Sequence, residues 1–409
     1  MHEAGKTLED SIDEIREAVD FLRYYAQCAI DLKPIIQRGP TGEDNILEYG
    51  SKGIVLCISP WNFPLAITVG QIAAALAAGN TVISKPSEHT PILAFEAINL
   101  FLDQGLPEDA IHLFLGKGDI AQAIILNQPI DLVAFTGSLK TAKMIHQSLS
   151  SKAGKIIPLI AETGGLNSMI VDSSALLERA CDDIMRSAFN SAGQRCSALR
   201  LLLIHQEIYP QLMSMLKGAM NDLTIGAPND LNVDVGPIIN TDSLIKLESY
   251  LNKMKSEGHT IFQVAKDCMS DDGCFLPPTL IELELSSMPD EEQFGPILHV
   301  ASFTEETLID ALKEIDSKGF ALTFGIHTRI DARALEVAKH TSSGNIYINR
   351  DIVGAVVETQ PFGGKNLSGS GFKAGGPNYL LQFMDERVVT VNTVAIGGNI
   401  DLINLNDDK

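Results

Sequence analysis

The most informative segment of the chain reads Phe189-Asn-Ser-Ala-Gly-Gln-Arg-Cys196-Ser197. It places a cysteine shortly after a glycine, between a predicted helix over 176–191 and a predicted strand over 199–205. A cysteine attacks as its thiolate, which polar or positive surroundings and the backbone N–H groups of a turn favour. The segment alone leaves two interpretations open, a catalytic nucleophile or a buried structural thiol, because a nucleophile needs partners elsewhere in the chain.

A candidate partner is Glu162, in Ala161-Glu162-Thr163-Gly164-Gly165. It follows a predicted strand over 155–160, and ligands bind at the carboxyl ends of parallel strands. The two glycines let the backbone approach a substrate closely. Glu162 is therefore a candidate general base, with a helix N-cap or a solvated loop residue as the alternative.

Two further polar segments follow predicted strands. Pro60-Trp61-Asn62-Phe63-Pro64 comes after the strand over 54–59, and the Asn62 amide is a candidate donor to an oxyanion. Alternatively, Asn62 caps the next helix.

Ser84-Lys85-Pro86-Ser87-Glu88 ends the next strand, where Lys85 and Glu88 suit hydrogen bonds to ribose hydroxyls. The alternative for this pair is an exposed ion pair of little energetic consequence.

A phosphate-loop pattern, GxGxxA, occurs at Gly116-Lys117-Gly118-Asp119-Ile120-Ala121. In a dinucleotide-binding fold, an acidic residue about 20 positions further on completes this pattern. Asp131 lies too close to the glycines and precedes the next strand. We therefore interpret the segment as a turn with two glycines.

Short apolar runs alternate with helical patterns along the chain. The predicted strands span 54–59, 81–84, 111–115, 132–136, 155–160, 168–171 and 199–205. The predicted helices span 69–78, 92–102, 176–191 and 209–223. This alternation predicts an α/β fold with parallel sheets covered by helices. Ahead of it, an apolar stripe at helical spacing predicts an amphipathic helix: Leu8, Ile12, Ile15, Val19 and Leu22.

The composition disfavours several classes of protein. The chain has 409 residues, a formal net charge of −21, 45% hydrophobic residues and 20% charged residues. This length predicts more than one domain, and the negative charge disfavours nucleic acid and anionic membranes as partners. The polar N-terminus does not resemble a signal peptide.

The cysteines are scattered, with no CxxC pair and no accompanying histidine cluster. We therefore expect neither a metal site nor disulfides, and a reducing, cytoplasmic location. The six are Cys28, Cys57, Cys181, Cys196, Cys268 and Cys274.

Seven segments together resemble the aldehyde dehydrogenase superfamily, in the family's order and near its spacing. They are 60–64, 85–88, 135–138, 162–165, 193–196, 292–296 and 361–364. Further segments are similar to pyrroline-5-carboxylate dehydrogenases, in the version that bacteria fuse to proline dehydrogenase. These are 3–7, 16–25, 191–198, 354–364 and 390–399. The resemblance covers essentially the whole chain.

The resemblance implies a domain plan with two parallel-sheet α/β domains and a small oligomerisation unit. Residues 1–30 and 52–164 would form an NAD-binding domain, and 165–375 the catalytic domain with the cysteine nucleophile. Residues 31–51 and 385–399 would pair two copies into a homodimer. Family members carry a further segment ahead of the first residue here, so we expect the NAD-binding domain to be N-terminally incomplete.

The resemblance also implies the chemistry. Cys196 would attack an aldehyde, the Asn62 amide and the Cys196 N–H would hold the oxyanion, and Glu162 would activate the water that hydrolyses the thioester. NAD is the implied cofactor, because a carboxylate at Glu88 repels a 2′-phosphate. Its implied contacts are Ser59, Pro60, Trp61, Lys85, Glu88, Gly118, Thr136, Gly137, Ser138, Glu292 and Phe294.

The implied substrate is a small-molecule aldehyde, glutamate γ-semialdehyde, which would be oxidised to glutamate. Ser197, Gly354 and Ala355 resemble the family's anchor for the α-carboxylate, and small residues with free N–H groups suit an anion. Phe63 and Phe362 would flank the aliphatic chain. Two alternatives stay open: an aldehyde dehydrogenase for another acyl chain, and a catalytically inactive fragment.

Overall fold

A computed structural model of the chain describes residues 1–37, 39, 42–265, 273–393 and 395. Cys268 lies outside these ranges, as do residues 38, 40 and 41 of the predicted hairpin and residues 394 and 396–399 of the predicted C-terminal segment. Within the described ranges, none of the helices combines the length and apolar character that a bilayer crossing requires.

The first part of the chain alternates helices and strands. Its α-helices are α1 (Leu8–Asp31), α2 (Ala66–Ala77), α3 (Pro91–Asp103), α4 (Gly118–Asn127) and α5 (Leu139–Ser151). Its strands are β1 (Ile35–Gln37), β2 (Glu43–Ser51), β3 (Ile54–Ile58), β4 (Thr81–Lys85), β5 (Ile111–Leu113), β6 (Leu132–Thr136) and β7 (Leu159–Glu162).

The second part continues the alternation. Its α-helices are α6 (Leu177–Phe189), α7 (Tyr209–Asn221), α8 (Thr241–Ser256), α9 (Leu308–Ser317) and α10 (Asp331–Ala338). Its strands are β8 (Asn167–Val171), β9 (Leu199–His205), β10 (Thr260–Gln263), β11 (Thr279–Glu282), β12 (Ile297–Phe303), β13 (Phe320–Ala321), β14 (Thr323–His327), β15 (Asn345–Ile348), β16 (Lys365–Asn366) and β17 (Met384–Asn392). Four 3₁₀ turns span Glu108–Ala110, Asn190–Gly193, Leu285–Ser287 and Leu380–Phe383.

Two parallel sheets organise these elements. The first has the strand order β5-β4-β3-β6-β7, with every neighbouring pair parallel. The second has the order β10-β11-β12-β9-β8-β14-β15 and is parallel except for the pair β10–β11. All seven side chains of β9 are buried, as expected for a central strand covered on both faces. The predicted α/β fold with two parallel sheets is confirmed.

The strand that leads to Glu162 begins later than the sequence indicates. A strand is predicted over 155–160, but β7 spans Leu159–Glu162. Pro158 has no N–H to donate to a ladder, and Ile156, which is 97% exposed, extends into solvent. The shift makes Glu162 the last residue of the strand itself.

Helix α1 buries a different face from the one that its apolar pattern indicates. The helix itself is confirmed, but its five stripe residues are all exposed: Leu8, Ile12, Ile15, Val19 and Leu22. The buried face carries Asp10, Glu14, Ala18, Phe21 and Tyr25. Buried carboxylates need partners, and the partners of Asp10 and Glu14 lie in other parts of the chain, where periodicity cannot indicate them.

Two smaller features match their sequence-based interpretation. Gly116 adopts a φ of 144° in the turn after β5, and Gly118 begins α4, so the GxGxxA segment is a turn into a helix. The hairpin of β1 and β2 is antiparallel, and β17 pairs with β2 along all nine residues of the strand. The oligomerising role of this sheet, the homodimer and the domain boundaries stay predictions.

An aromatic cluster joins α1 to the C-terminal part of the chain. Tyr25 is fully buried, and its ring stacks on that of Tyr379 with centroids 5.6 Å apart. Its hydroxyl accepts a hydrogen bond of 2.8 Å from the backbone N–H of Gly375, which has a φ of 69°. Tyr25 therefore satisfies a buried donor at a glycine turn.

Replacing Tyr25 with phenylalanine tests this bond. Tyr25→Phe keeps the ring but leaves the Gly375 N–H without an acceptor, so we expect the free energy of unfolding to fall by about 1–3 kcal/mol. The measurement is a guanidinium titration, with Tyr49→Phe on the small antiparallel sheet as the control. Equal midpoints for Tyr25→Phe and the parent protein would contradict the assigned role.

Candidate active site

One cleft, with a volume of about 1910 Å³, brings together every residue that the sequence nominates for catalysis, cofactor binding or substrate binding. Its walls come from the first parallel sheet, from α1 and from the loops at 194–197, 290–294 and 353–362. The nominated residues that line it are Ser59, Pro60, Trp61, Asn62, Phe63, Lys85, Glu88, Gly118, Thr136, Gly137, Ser138, Glu162, Cys196, Ser197, Glu292, Phe294, Gly354, Ala355 and Phe362.

Cys196 follows a strained turn at the end of α6. Ser191 and Ala192 both have a φ of 53°, and Gly193 has a φ of 65°. Non-glycine residues rarely adopt this left-handed conformation. A Cβ on Gly193 would collide with the backbone carbonyl of Gly295, so only glycine fits there. The turn reverses the chain between α6 and β9 and presents Cys196 to the cleft.

A buried polar cluster holds this turn in place. The Arg195 guanidinium lies 2.5 Å from Asp10 Oδ1, and the Ser191 hydroxyl donates a 2.8 Å hydrogen bond to Asp10 Oδ2. Arg195 Nε also donates to Ser191 Oγ at 3.1 Å. Burial acts to raise the pKa of Asp10, but the Arg195 charge and the Ser191 hydrogen bond outweigh it, and the pKa lies below its usual value. Asp10 therefore connects α1 to the turn that precedes Cys196.

A second buried carboxylate on the same helix holds the loop of Asn62. Glu14 Oε1 accepts hydrogen bonds from Leu65 N at 2.8 Å and Ala66 N at 3.2 Å, where α2 begins. Its other oxygen pairs with the Lys6 ammonium at 2.5 Å. The Lys6 nitrogen in turn lies 3.7 Å from the centroid of the Phe63 ring, a cation–π contact. One helix thus fixes both loops that face the cysteine.

Asn62 is oriented towards the nucleophile loop. Its Nδ2 donates a 3.0 Å hydrogen bond to the carbonyl of Gln194, two residues before Cys196. A carboxamide nitrogen carries two hydrogens, so this bond fixes the side chain and leaves a second N–H for another acceptor. Asn167 secures the other side of the loop by donating to the carbonyls of Cys196 at 2.6 Å and Ala198 at 2.9 Å.

The surroundings of Cys196 differ from those that the sequence suggests. Burial raises the pKa of its thiol to about 12, and the negative charges of Glu292 and Glu162 add to this effect. The Ser197 N–H acts in the opposite direction. Instead of the positive field that favours a thiolate, the cleft as described keeps the sulfur protonated near neutral pH.

Glu162 ends β7 in a dry environment. Burial raises its pKa to about 8, while a hydrogen bond of 3.3 Å from the Gly364 N–H and the charge of Lys373 lower it. The missing Cβ of Gly363 makes room for the carboxylate, because a Cβ there would lie 2.8 Å from Glu162 Oε1. A carboxylate whose pKa lies near neutrality is suited to general-base catalysis.

Side chains on the other side of the cleft suit a dinucleotide. Lys85 ends β4 and lies 3.6 Å from Glu88, and Ser138 caps the N-terminus of α5 by accepting from Thr141 N at 3.2 Å. A helix N-terminus favours phosphate groups. The Trp61 and Phe294 rings meet edge to face with centroids 5.7 Å apart. Gln71 Oε1, also on this wall, is buried without a hydrogen-bond partner in the described part of the chain.

Arg200 forms an ion pair with Glu292 that the sequence does not predict. Arg200 is only 1% exposed, and its Nη2 lies 2.9 Å from Glu292 Oε1, while Nη1 donates to the Gly295 carbonyl at 3.0 Å. Burial raises the pKa of Glu292, and Arg200 opposes that shift. Because Arg200 lies inside an apolar run of β9, its role emerges only from the fold.

Glu17 is a further cleft residue that sequence reasoning missed. Burial raises its pKa to about 7, Lys6 opposes the shift, and its charge reaches Cys196. It lies one turn beyond Glu14 on α1 and lines the cleft. A half-buried carboxylate facing the nucleophile would attract a cationic group of a ligand.

A cysteine, a carboxamide and a carboxylate that face one cleft beside parallel sheets are typical of enzymes that form covalent intermediates with small molecules. The chain belongs to the aldehyde dehydrogenase family, whose model matches residues 1–389. This confirms the resemblance seen in the sequence.

The relatives include two kinds of protein from bacteria. The bifunctional protein PutA of Escherichia coli is 44% identical over 406 residues, which cover 97% of this chain and 30% of PutA. The 1-pyrroline-5-carboxylate dehydrogenase of Bacillus subtilis is 33% identical over 404 residues, or 95% of this chain and 76% of that protein. The chain thus spans 29–30% of the length of the PutA proteins of Klebsiella aerogenes and Escherichia coli.

Solved structures agree with these relatives. A crystal structure of bifunctional proline utilization A superposes with a TM-score of 0.93 at 46% identity and covers 97% of this chain, which corresponds to 40% of that one. Betaine aldehyde dehydrogenase from Staphylococcus aureus, solved in complex with NAD+, gives a TM-score of 0.89 at 29% identity, over 95% of this chain and 77% of that one. The predicted aldehyde dehydrogenase-like fold is confirmed.

The strained turn yields a test with a matched control. Gly193→Ala forces a left-handed alanine against the Gly295 carbonyl, so we expect a loss of about 2–4 kcal/mol of unfolding free energy and loss of Cys196 function. Gly218→Ala, in exposed space within α7, should instead stabilise the protein by about 0.5–1 kcal/mol. Chemical denaturation measures both variants, and comparable stability of the two would contradict the steric argument.

Proposed function

We propose that this protein is an NAD-dependent aldehyde dehydrogenase that oxidises glutamate γ-semialdehyde, the open form of Δ1-pyrroline-5-carboxylate, to glutamate in proline catabolism. The observation that carries the proposal is the meeting of Cys196, Asn62 and Glu162 at one cleft. The names of the relatives, 1-pyrroline-5-carboxylate dehydrogenase and PutA, support the choice of substrate.

The chain's own residues account for the addition and hydrolysis steps. Cys196 loses its proton to water and attacks the aldehyde carbon as the thiolate, and the free N–H of Asn62 together with the Cys196 backbone N–H holds the oxyanion that forms. After oxidation, the acyl group is bound to Cys196 as a thioester. Glu162 takes a proton from a water molecule, the water oxygen attacks the thioester carbon, and the acid leaves as Cys196 is released.

The cleft fits NAD as cofactor. Lys85 and Glu88 would hold the adenosine ribose, Gly137 and Ser138 the pyrophosphate, and Glu292 the nicotinamide ribose. NAD would supply the hydride acceptor. Ser59, Pro60, Trp61, Gly118, Thr136 and Phe294 complete the proposed contacts.

The part of the cleft that would bind the substrate has N–H donors for the α-carboxylate and a carboxylate for the α-ammonium group. Ser197 and the exposed Gly354, with a φ of 87°, would bind the α-carboxylate together with Ala355. Glu17 would face the α-ammonium group. Phe63 and Phe362 would line the path of the aliphatic chain.

The domain and assembly plan follows the same proposal. Residues 1–30 and 52–164 would hold NAD, and 165–375 would carry the nucleophile. The sheet of β1, β2 and β17 would pair two copies into a homodimer, since most side chains of β17 are exposed.

An activity assay tests the function directly. We expect NADH formation with Δ1-pyrroline-5-carboxylate to exceed that with succinate semialdehyde or propanal.

Cys196→Ala should retain less than about one thousandth of the turnover but should still show an NAD-induced rise in melting temperature, because a ligand of the folded state stabilises it. Turnover that survives in Cys196→Ala would refute the nucleophile. A parent protein that neither turns over nor responds to NAD would favour the inactive-fragment alternative.

Glu17 offers a test of substrate class. Glu17→Gln removes a charge-assisted contact to the ammonium group, so KM for the amino-aldehyde should rise about tenfold or more, while kcat/KM for propanal stays within about twofold. Because the pKa of Glu17 is about 7, the parent's KM for the amino-aldehyde should also rise as the pH falls below that value. Steady-state kinetics from pH 6 to 9 measure both, and equal losses for the two aldehydes would contradict ammonium recognition.

A further inference from the structure

We infer that Lys373 is a positioning residue for the general base: its ammonium group fixes the 361–364 loop against Glu162 and supplies a positive charge beside that carboxylate. This deepens the proposed function and rests on it, since Glu162 must act in thioester hydrolysis. Neither the motifs nor the composition indicate Lys373, which lies in the loop after β16.

The Lys373 ammonium is held rigidly. It donates to the carbonyl of Gly344 at 2.8 Å, to Asn345 Oδ1 at 2.6 Å and to the carbonyl of Gly363 at 2.8 Å. An ammonium group has three hydrogens, and three acceptors use all of them. Lys373 therefore has no N–H left to donate to substrate or water, and its role is structural and electrostatic.

The same contacts connect Lys373 to Glu162 through one short loop. Asn345 donates to the Pro361 carbonyl at 2.9 Å and accepts from the Gly363 N–H at 3.4 Å. One residue further, the Gly364 N–H donates to Glu162 Oε2 at 3.3 Å. Lys373 and Asn345, the first residue of β15, thus hold the 361–364 loop in place. The loop in turn directs the Gly364 N–H to the Glu162 carboxylate.

Edge pairing beyond the loop fixes the strand that carries the base. Thr163 N donates to the Ser368 carbonyl at 3.0 Å, and Ser370 N donates to the Ala161 carbonyl at 2.8 Å. Residues 368–370 therefore run along the free edge of β7. The backbone around Glu162 is held on both sides, so the clamp acts on a carboxylate that cannot swing far.

The electrostatic surroundings of Glu162 give Lys373 its second effect. The titratable groups whose charges act on or respond to Glu162 are Lys373, the Cys196 thiol and the Tyr379 hydroxyl. Only an ionised Glu162 can accept a proton, and Lys373 opposes the upward pKa shift that burial causes. Loss of the Lys373 charge should therefore raise the pH at which hydrolysis of the thioester becomes efficient.

Two substitutions at position 373 separate charge from position. Lys373→Gln keeps hydrogen-bond donors but removes the charge, and Lys373→Arg keeps the charge but changes the fit. Lys365→Gln is the matched control, because Lys365 is an exposed lysine whose charge reaches Lys373. Rapid-quench experiments from pH 6 to 10 measure the NADH burst, which reports thioester formation, and the rate of thioester hydrolysis.

We expect Lys373→Gln to keep the burst, to raise the apparent pKa of hydrolysis by about one unit and to slow hydrolysis at pH 7 about tenfold. The slow rate should recover near pH 10. Lys373→Arg should be slower at all pH values with the parent's pKa, and Lys365→Gln should match the parent. A parent pKa in Lys373→Gln, or equal shifts in the Gln and Arg variants, would overturn the inference.

Failure of the proposed function gives a different result from failure of this inference. If the parent protein shows no burst and no turnover, the proposed function fails, whereas a normal parent with unresponsive Lys373 variants refutes only the role of Lys373. If Lys373→Gln does not fold, Asn345→Ala tests the clamp: slower hydrolysis with an intact burst supports it, and a parent-like hydrolysis rate overturns it.

Discussion

The ion pair between Asp10 and Arg195 is the contact on which the site most depends. It joins the first helix to the turn that precedes Cys196, across 185 positions of the sequence. Ser191 and Ala192 adopt left-handed conformations that their side chains disfavour. A buried, fully hydrogen-bonded anchor is what makes such a conformation persist, since breaking it would leave an uncompensated charge in the interior.

Negative charge dominates the reacting end of the cleft. Glu17, Glu162 and Glu292 all approach Cys196, and each has a pKa raised by burial. Each also has a cation that moderates it, namely Lys6, Lys373 and Arg200. The three glutamates thus differ in the cation that each one faces, which gives identical side chains different electrostatic surroundings.

The sequence predicts the fold and the residues that line the cleft well, because strands alternate with helices and the polar motifs follow strands. Parallel topology then brings Asn62, Lys85 and Glu162 to one edge. The supporting residues are not predictable in this way. Asp10 and Glu14 look like solvent-facing residues of a helix whose apolar stripe lies elsewhere, and Arg200 interrupts an apolar strand. Most of their partners are distant in sequence, so only the tertiary structure reveals why they are buried.

Helix α1 has one consequence for the motions of the molecule. Its inner face anchors the two loops that carry Asn62 and Cys196, while its outer face is apolar and exposed. Local opening of this helix would release both loops in a single event, without unfolding either sheet. The fraction of molecules with both loops in place would then depend on the opening equilibrium of α1, which hydrogen exchange along the helix would report.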